Sequence, residues 1–334
     1  MSDNMISESA ERLFATTPAA PSEDDWSAGL WAAVAEAGYP LALLDEDDGG
    51  FGLDANEVLP IAGIAARHAA PIPLAETMVA NWLLAKAGLP VVEAGPAAIL
   101  YAPGAGIPWG RNLSVLVHAR PADDGLDIAR IDAGGLNWSR RQNIAGEPRD
   151  RLPGDLPAGD TVRVALDPGL PRALMAMMRV QQIAGAMDAV LAMSVRYATE
   201  RVQFGRAIGK FQVIQQYLAV MAGEAAAASA AATMAAGAFA LAQDDPRKFG
   251  LLAGAAKLRA GEAAGKVAEL AHQVHGAIGF SQEYDLHRLT RRLWSWRDDD
   301  GRETDWARLL GQSLPAGPDT RLWSQVTELQ GEFY

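Results

Sequence analysis

The amino-acid sequence predicts a mostly α-helical fold in three parts. These are an N-terminal helical domain over residues 1–94, a small β-rich middle domain over 95–170, and a C-terminal four-helix bundle over 171–334. Three observations carry this expectation. Apolar residues recur at helical spacing in the first and last parts. Frequent prolines and glycines break the middle part into short β-type runs. The last part is long-period, Ala-rich and amphipathic, the pattern of helices packed side by side.

In chain order, Ile6, Ala10, Leu13 and Phe14 mark a first helix. Trp26, Leu30, Trp31, Val34 and Ala35 mark a second, with Ser22 as its expected N-cap. The glycines of Asp48-Gly49-Gly50-Phe51-Gly52 make a loop. Helices follow over 56–69 and 74–87, separated by Pro71 and Pro73. The β-type runs are Ala98–Tyr101, Leu113–His118, Leu126–Ile131 and Thr161–Ala165, with Ser139-Arg140-Arg141 read as a solvated basic turn among them. Long helices are expected over 172–201, 211–243, 247–277 and 284–296. The Ala-rich stretch 224–242 reads as close helix packing.

Composition excludes several functions. Nearly half of the 334 residues are apolar (49%), so a sizeable core can be buried. A net charge of −12 argues against nucleic acid or an anionic membrane as the main partner. With no Cys there is no disulfide, thiolate ligand or Cys nucleophile. The five histidines are His68, His118, His272, His275 and His287, and the spacing of His272 and His275 without a nearby carboxylate ligand gives no metal site. No run of about 20 uninterrupted apolar residues offers a membrane span. The N-terminus carries acidic residues early and lacks the basic and apolar regions of a signal peptide. A cytoplasmic protein is expected.

Residues 196–221 are the most informative segment. Tyr197, Val202, Ile208, Phe211, Ile214, Leu218 and Met221 form a broken apolar stripe, interrupted by a polar break from Gln203 to Lys210. Spacing alone predicts two helices joined by a tight turn, with Arg201, Arg206, Lys210 and Gln212 around it. Cations and free backbone N–H groups at a helix start suit a phosphate. An ordinary core helix pair has the same spacing.

The word order goes further. Arg201-Val202-Gln203-Phe204-Gly205, then Ile208 and Phe211-Gln212, resembles the signature of the acyl-CoA dehydrogenases. Gln273-Val274-His275-Gly276-Ala277-Ile278-Gly279-Phe280 is similar to that family's Gln-x-x-Gly-Gly-x-Gly segment. Ala37-Gly38-Tyr39-Pro40 and Leu44 to Leu53 resemble its early helix-to-loop element. The resemblance implies FAD-dependent α,β-desaturation of an acyl-CoA thioester. It implies that Arg201, Gln203, Phe204, Phe211, Gln212, Gln273, Gly276 and Ala277 contact the pyrophosphate and adenosine of a neighbouring subunit's FAD.

Two departures stand beside it. The family's flavin-ring segment has Thr-Glu-Pro followed by Gly-Ser-Asp, and later a Trp with Ile-Thr-Asn; residues 95–170 contain neither, and Asn137-Trp138-Ser139 is a poor substitute. An ungapped alignment from Arg288 sets Asp300-Gly301 on the family's Glu-Gly pair, making Asp300 the positional catalytic base, with Asp299 and Asp298 as one-residue-slip alternatives. Arg302 stands where the family has Thr. Asp298–Asp300 also fits a solvated acidic turn paired with Arg297 and Arg302. Short chains of this kind resemble the small subunits of heterotetrameric dehydrogenases acting on CoA esters of bulky ring compounds such as steroid side chains. That implies an acyl-CoA substrate, a full-length partner subunit, and an electron-transfer flavoprotein as a possible acceptor. A non-catalytic structural subunit and a stand-alone flavoenzyme are the alternatives.

Overall fold

A computed structural model of the chain describes residues 5–16 and 22–313. Residues 1–4 and 17–21 of the expected N-terminal domain and the 314–334 end of the expected bundle lie outside the described residues.

The first helices are α1 (Met5–Ala15), α2 (Ala28–Glu36), α3 (Ala55–Val58), α4 (Pro60–Arg67) and α5 (Leu74–Lys86). Ser22 does not cap α2. Its backbone N–H and hydroxyl bond Asp25 and Asp24 in a local turn, and the helix starts six residues later at Ala28. Only there does the apolar period bury Leu30, Trp31 and Val34 together. The expected helix over 56–69 is split, because Pro60 starts a new helix directly after α3.

Six strands follow: β1 (Ala97–Leu100), β2 (Ile107–Pro108), β3 (Val115–Ala122), β4 (Gly125–Asp132), β5 (Arg149–Asp150) and β6 (Asp160–Val164). One sheet has the order β1-β3-β4-β6, with β1 parallel to β3 and the other pairs antiparallel. Side chains alternate across it. Ala97, Ile99, Val115 and Val117 join the main helical core. Ala98, Leu116 and Ile131 make a second, small core with Trp138, Leu152 and Leu156. Strands β2 and β5 form a separate two-stranded piece.

The chain then enters α6 (Leu170–Glu200), a hairpin of β7 (Val202–Gln203) and β8 (Arg206–Ala207), α7 (Gln212–Gly237), α8 (Leu241–Asp244), α9 (Pro246–His275), α10 (Leu286–Asp298) and α11 (Glu303–Ser313). Helix α6 packs on α4, α7, α9 and α10, so it is the axle of the molecule. Its crossing with α4 needs glycine: a Cβ on Gly185 would sit 1.9 Å from the Gly63 carbonyl oxygen. Helix α7 buries Met221, Ala225, Ala228, Ala232 and Ala235, which is the close packing expected of the Ala-rich stretch. The run Gln212–Asp244 is long and apolar enough, by length and composition, to cross a membrane, against the sequence expectation. A count of uninterrupted apolar residues passes it over because Gln215, Gln216, Glu224, Ser229 and Thr233 interrupt it, whereas mean hydropathy averages across them. In this fold its Ala face packs on α6 and α9.

The link between α6 and α7 is not a plain helix-turn-helix. Phe204 and Gly205 form the hairpin tip with positive φ (52° and 77°), which allows a two-residue turn between β7 and β8.

Candidate functional site

Two concave regions hold the chemistry-bearing residues. The first is a cavity of about 550 Å³ between β1, α6 and the turn after α10. Asp300 and Asp299 face it, so the acidic turn is not simply solvated: the Asp300 side chain is 10% exposed and that of Asp299 is 26% exposed. Asp298 also lines it but is half exposed and pairs with Arg302 at 3.4 Å, while Arg297 pairs with Glu303 instead.

Asp300 is held on both oxygens. Tyr101, at the end of β1, donates its hydroxyl to Oδ1, and Arg179 donates Nε to Oδ2 at 2.9 Å. Arg179 lies in the middle of α6 and its other arm donates Nη2 to Glu76 of α5 at 2.8 Å. Asp299 accepts from Arg149 of β5 at 2.8 Å. Burial opposes the Asp299 charge, but the Arg149 and Arg179 guanidinia outweigh it and hold its carboxyl below the usual range. Burial, then the neighbouring Asp300 charge, pushes the Tyr101 hydroxyl well above its usual range.

The turn itself is clamped. Asp300 and Gly301 both have positive φ (59° and 115°). Buried Lys257 of α9 donates Nζ to the carbonyls of Arg297 at 2.7 Å and Gly301 at 3.1 Å. Burial pushes the Lys257 ammonium down to about 8, against the opposing pull of Asp300 and Asp299.

A further ion network fixes the wall of this cavity to α10. Buried Glu147 accepts from Asn143 (2.8 Å), Trp296 (3.2 Å) and Arg292 (3.3 Å), and Arg292 also pairs with Glu23 at 2.5 Å. Burial works against its charge, yet Arg149 and Arg292 hold the Glu147 carboxyl below its usual range. Arg141, read from the sequence as part of a solvated turn, is exposed but lines the cavity mouth with Gln142 and Arg151.

The second region is an open groove of about 480 Å³ at the far end of α6. It brings together six of the eight residues that the resemblance marked for a nucleotide: Arg201, Gln203, Phe204, Phe211, Gln273 and Gly276. Gln212 and Ala277 are neighbours of lining residues in the chain but do not line it. The hairpin presents Phe204 almost fully exposed (92%), with Phe211 edge-on at 6.1 Å and the Arg206 guanidinium 4.2 Å above the Phe211 ring. Helix α7 starts at Gln212 with no side-chain cap. Gly276, with φ of 62°, ends α9 and has open space where a Cβ would stand. Exposed aromatic faces, an exposed cation at Arg201 and an uncapped helix start suit an aromatic nucleotide with phosphates. The first cavity differs in kind, setting the paired groups Arg179–Asp300 and Arg149–Asp299 beside an apolar wall of Ile99, Pro108 and Met175.

His272 and His275 do not share a ligand. His272 Nε2 meets Thr290 Oγ1 at 2.9 Å and stacks on Phe280, while His275 Nδ1 bonds the Ala271 carbonyl and stacks on Tyr197. Among the described residues no group of three or more His, Asp or Glu is placed to hold a metal.

Sequence reading missed Glu76, Tyr101, Arg149, Arg179 and Lys257. The signal for Arg179 was available, since it is a lone charge in the apolar run Leu174–Ala186 and such a charge is buried only with partners. Tyr101 and Arg149 carried no local sign.

Comparison with known proteins agrees with this geometry. The acyl-CoA dehydrogenase C-terminal domain matches residues 170–297. The acyl-CoA dehydrogenase IpdE2 of Mycobacterium tuberculosis is 28% identical over 83% of this chain and 84% of its own length. Among solved structures, the ChsE4–ChsE5 complex from Mycobacterium tuberculosis superposes with a TM-score of 0.81 at 21% identity, covering 95% of this chain and 98% of that one. A variant of the Tcur3481–Tcur3483 steroid ACAD gives a TM-score of 0.79 at 24% identity, covering 93% and 96%. At these identities the structures show the shared fold.

Proposed function

Because the chain belongs to the acyl-CoA dehydrogenase family, we propose that it is one subunit of a heteromeric FAD-dependent enzyme that desaturates an acyl-CoA thioester, the partner being a full-length relative. In this reading residues 1–94, 95–170 and 171–334 are its helical, β and bundle domains. The observation that carries the proposal is the contrast between the two concave regions. The groove by the hairpin presents free cationic and aromatic groups, while the cavity by Asp300 has its inner charges already paired.

FAD, when bound, supplies the hydride-accepting chemistry that side chains lack. The chain's own residues would hold its nucleotide end. Arg201 would meet phosphate with a charge-assisted bond, Phe204 and Phe211 would offer aromatic faces, Gln212 and Gln273 would offer amide hydrogen bonds, and Gly276 would allow close backbone approach. Asp300 is a poor base here. Both of its oxygens already accept, from Arg179 and from Tyr101, so a bond would have to be given up before either could reach an α-proton. The base and the ring site belong to the partner in this reading. A CoA ester of a bulky ring compound is the proposed substrate class, supported by the fold shared with the Tcur3481–Tcur3483 steroid ACAD.

Co-expression with the partner, followed by a count of flavins per assembly, tests the proposal. One flavin per pair of unlike chains is expected, and little or none on this chain alone. A yellow homo-oligomer with stoichiometric FAD, purified without a partner, would refute it.

A further inference from the structure

His272 and His275 enter no step of the function above, yet both are buried in the last turn of α9, at 7% and 3% exposure. Each ring has one nitrogen engaged and one bare. His275 Nδ1 stands 2.8 Å from the Ala271 carbonyl, which can only accept, so Nδ1 carries the proton. His272 Nε2 meets Thr290 Oγ1, whose own hydrogen goes to the Leu286 carbonyl, so here Nε2 carries it. The other two nitrogens, His272 Nδ1 and His275 Nε2, are buried with no hydrogen-bond partner. Aromatic rings close them in. His272 packs against Phe280 and Trp294, at 4.0 and 5.6 Å between ring centres, and His275 against Tyr197 and Tyr284, at 4.5 and 5.1 Å. The short turn Gly276–Phe280 folds back over His272, and a Cβ on its Gly279 would stand 3.2 Å from the bare Nδ1.

We propose that these two histidines form an acid-operated latch: proton uptake by the bare nitrogens frees the turn Gly276–Phe280 and loosens the groove that the end of α9 lines. The inference rests on the reading of that groove as the cofactor's nucleotide site. Protonation would put a charged N–H where no acceptor stands, and a buried unpaired donor is relieved by movement. Burial already pushes both imidazoles below their usual range, and at His272 the neighbouring His275 and His287 add to it. Counter-charge is lacking on every side. Tyr197 faces the pair from α6, Tyr284 from the loop after the turn and His287 from α10, and no carboxylate contributes to either shift. On α9, Lys266 pairs with Glu269; on α10, Arg288 pairs with Glu23 and Asp285, and Arg291 donates to the Ile144 carbonyl. Glu283 in the loop and Arg196, Glu200 and Arg201 at the end of α6 are exposed. The joint is Gly276. Its φ of 62° ends the helix, and open space surrounds its Cβ position, so the turn beyond it can swing without unwinding α9. Gln273, His275 and Gly276 all line the groove, so the movement reaches the nucleotide's wall directly. An opened histidine titrates near about 6.5 and the closed ring lower, so opening gains on closure as pH falls through that value.

The test is hydrogen exchange of the purified chain from about pH 7.5 to about pH 5.5, a window spanning the opened-state value. After correction for intrinsic rates, amides of 276–285 are expected to open more often as pH falls, by up to roughly tenfold per pH unit for each histidine that takes up a proton. The middle of α6 should not follow. His272→Gln and His275→Phe should each remove their share of the slope, with His275→Gln as a second variant where the larger ring disturbs packing. Melting curves at the upper end of the window check that each variant is folded. Flavin bound to the partner complex is expected to be released over the same window. Exchange that is flat with pH, or a slope that the variants keep in full, overturns the latch. Flavin held equally across the window, while Arg201→Ala releases it at the upper end, overturns the release and leaves the cofactor role standing. Flavin retention that Arg201→Ala leaves intact refutes the cofactor reading instead, and the exchange slope still decides the latch.

Discussion

Arg179 donates its Nε to Asp300 Oδ2 at 2.9 Å, from the middle of α6 to the turn after α10, 121 residues away in the chain. Residue order made Asp300 the positional base; this contact makes it an ion-pair partner. The pair is nearly closed to solvent, with Arg179 side-chain exposure at 3% and Asp300 at 10%, and Glu76 takes the other arm of the guanidinium. Such a cluster of buried charges is costly to break from one side.

Asp300→Asn is therefore expected to leave turnover of the assembled enzyme within about twofold. A general base removed by the same change would cost a factor on the order of 10²–10⁴ with acyl-CoA still bound. Steady-state kinetics on the complex, under conditions where the variant stays folded, separates the two. A large drop in kcat at constant KM would return Asp300 to catalysis.

Arg201→Ala is expected to weaken FAD retention in the complex about tenfold or more, the loss of one charge-assisted contact to phosphate. Arg201 is exposed on the chain alone, so its truncation should leave the unfolding curve in place. Ultrafiltration of bound flavin at graded dilution measures the effect. Equal retention in variant and wild type would show that Arg201 is an ordinary surface residue.

Much of this fold was legible because its elements are long or periodic. The four β-type runs and the helices on either side of them lie within a few residues of their observed ends, since an alternating or 3.6-residue apolar pattern survives any tertiary context. The hairpin at Phe204-Gly205 was not legible as a hairpin. Its strands are two residues each, too short for any period, and only the Gly hinted at positive φ. The site was half legible for a similar reason. Groove residues such as Arg201, Phe204 and Gln273 lie in two contiguous words of sequence. The cavity assembles Glu76, Tyr101, Arg149, Arg179 and Asp300 from five separate elements, and no local pattern records contacts made over such separations. The Asp298–Asp300 run illustrates this. The sequence left base and surface turn as alternatives, and the burial and pairing of Asp300 against α6 is a contact that neither pattern records.

Lys257 gives the fold an alkaline signature. Its ammonium is buried and titrates near 8, whereas an unfolded lysine titrates near about 10.4. Between these values the native state has released a proton that the unfolded chain still holds. Unfolding free energy then rises with pH through the window, by up to roughly 3 kcal/mol for the whole shift. Below about pH 8 the charged amine is buried and this stabilisation is absent. Tyr101, pushed upward by burial and Asp300, acts in the opposite sense above about pH 10, so the useful comparison stops there. Denaturant unfolding of wild type and Lys257→Met from about pH 7 to about pH 10 should show the difference between them growing in favour of wild type as pH rises. Parallel curves would mean that Lys257 is charged throughout.

The crossing of α4 and α6 sets how the N-terminal helices meet the bundle, and it rests on two glycines. A Cβ on Gly185 would stand 1.9 Å from the carbonyl oxygen of Gly63, a contact to backbone that no rotamer change relieves. The helices must part by more than an ångström, opening the seam in which Ile61, Ile64 and Ile183 are buried. Overpacking of this kind typically costs about 1–3 kcal/mol, and a backbone partner puts Gly185→Ala at or above the upper end. Gly223, in the interior of α7, has open space around its Cβ position. There the same change gains helix propensity of roughly 0.8–1 kcal/mol with no clash to offset it. Denaturant midpoints of the two variants, measured on the chain alone, should thus move in opposite directions. A neutral Gly185→Ala would show that the α4–α6 contact is looser than its geometry requires.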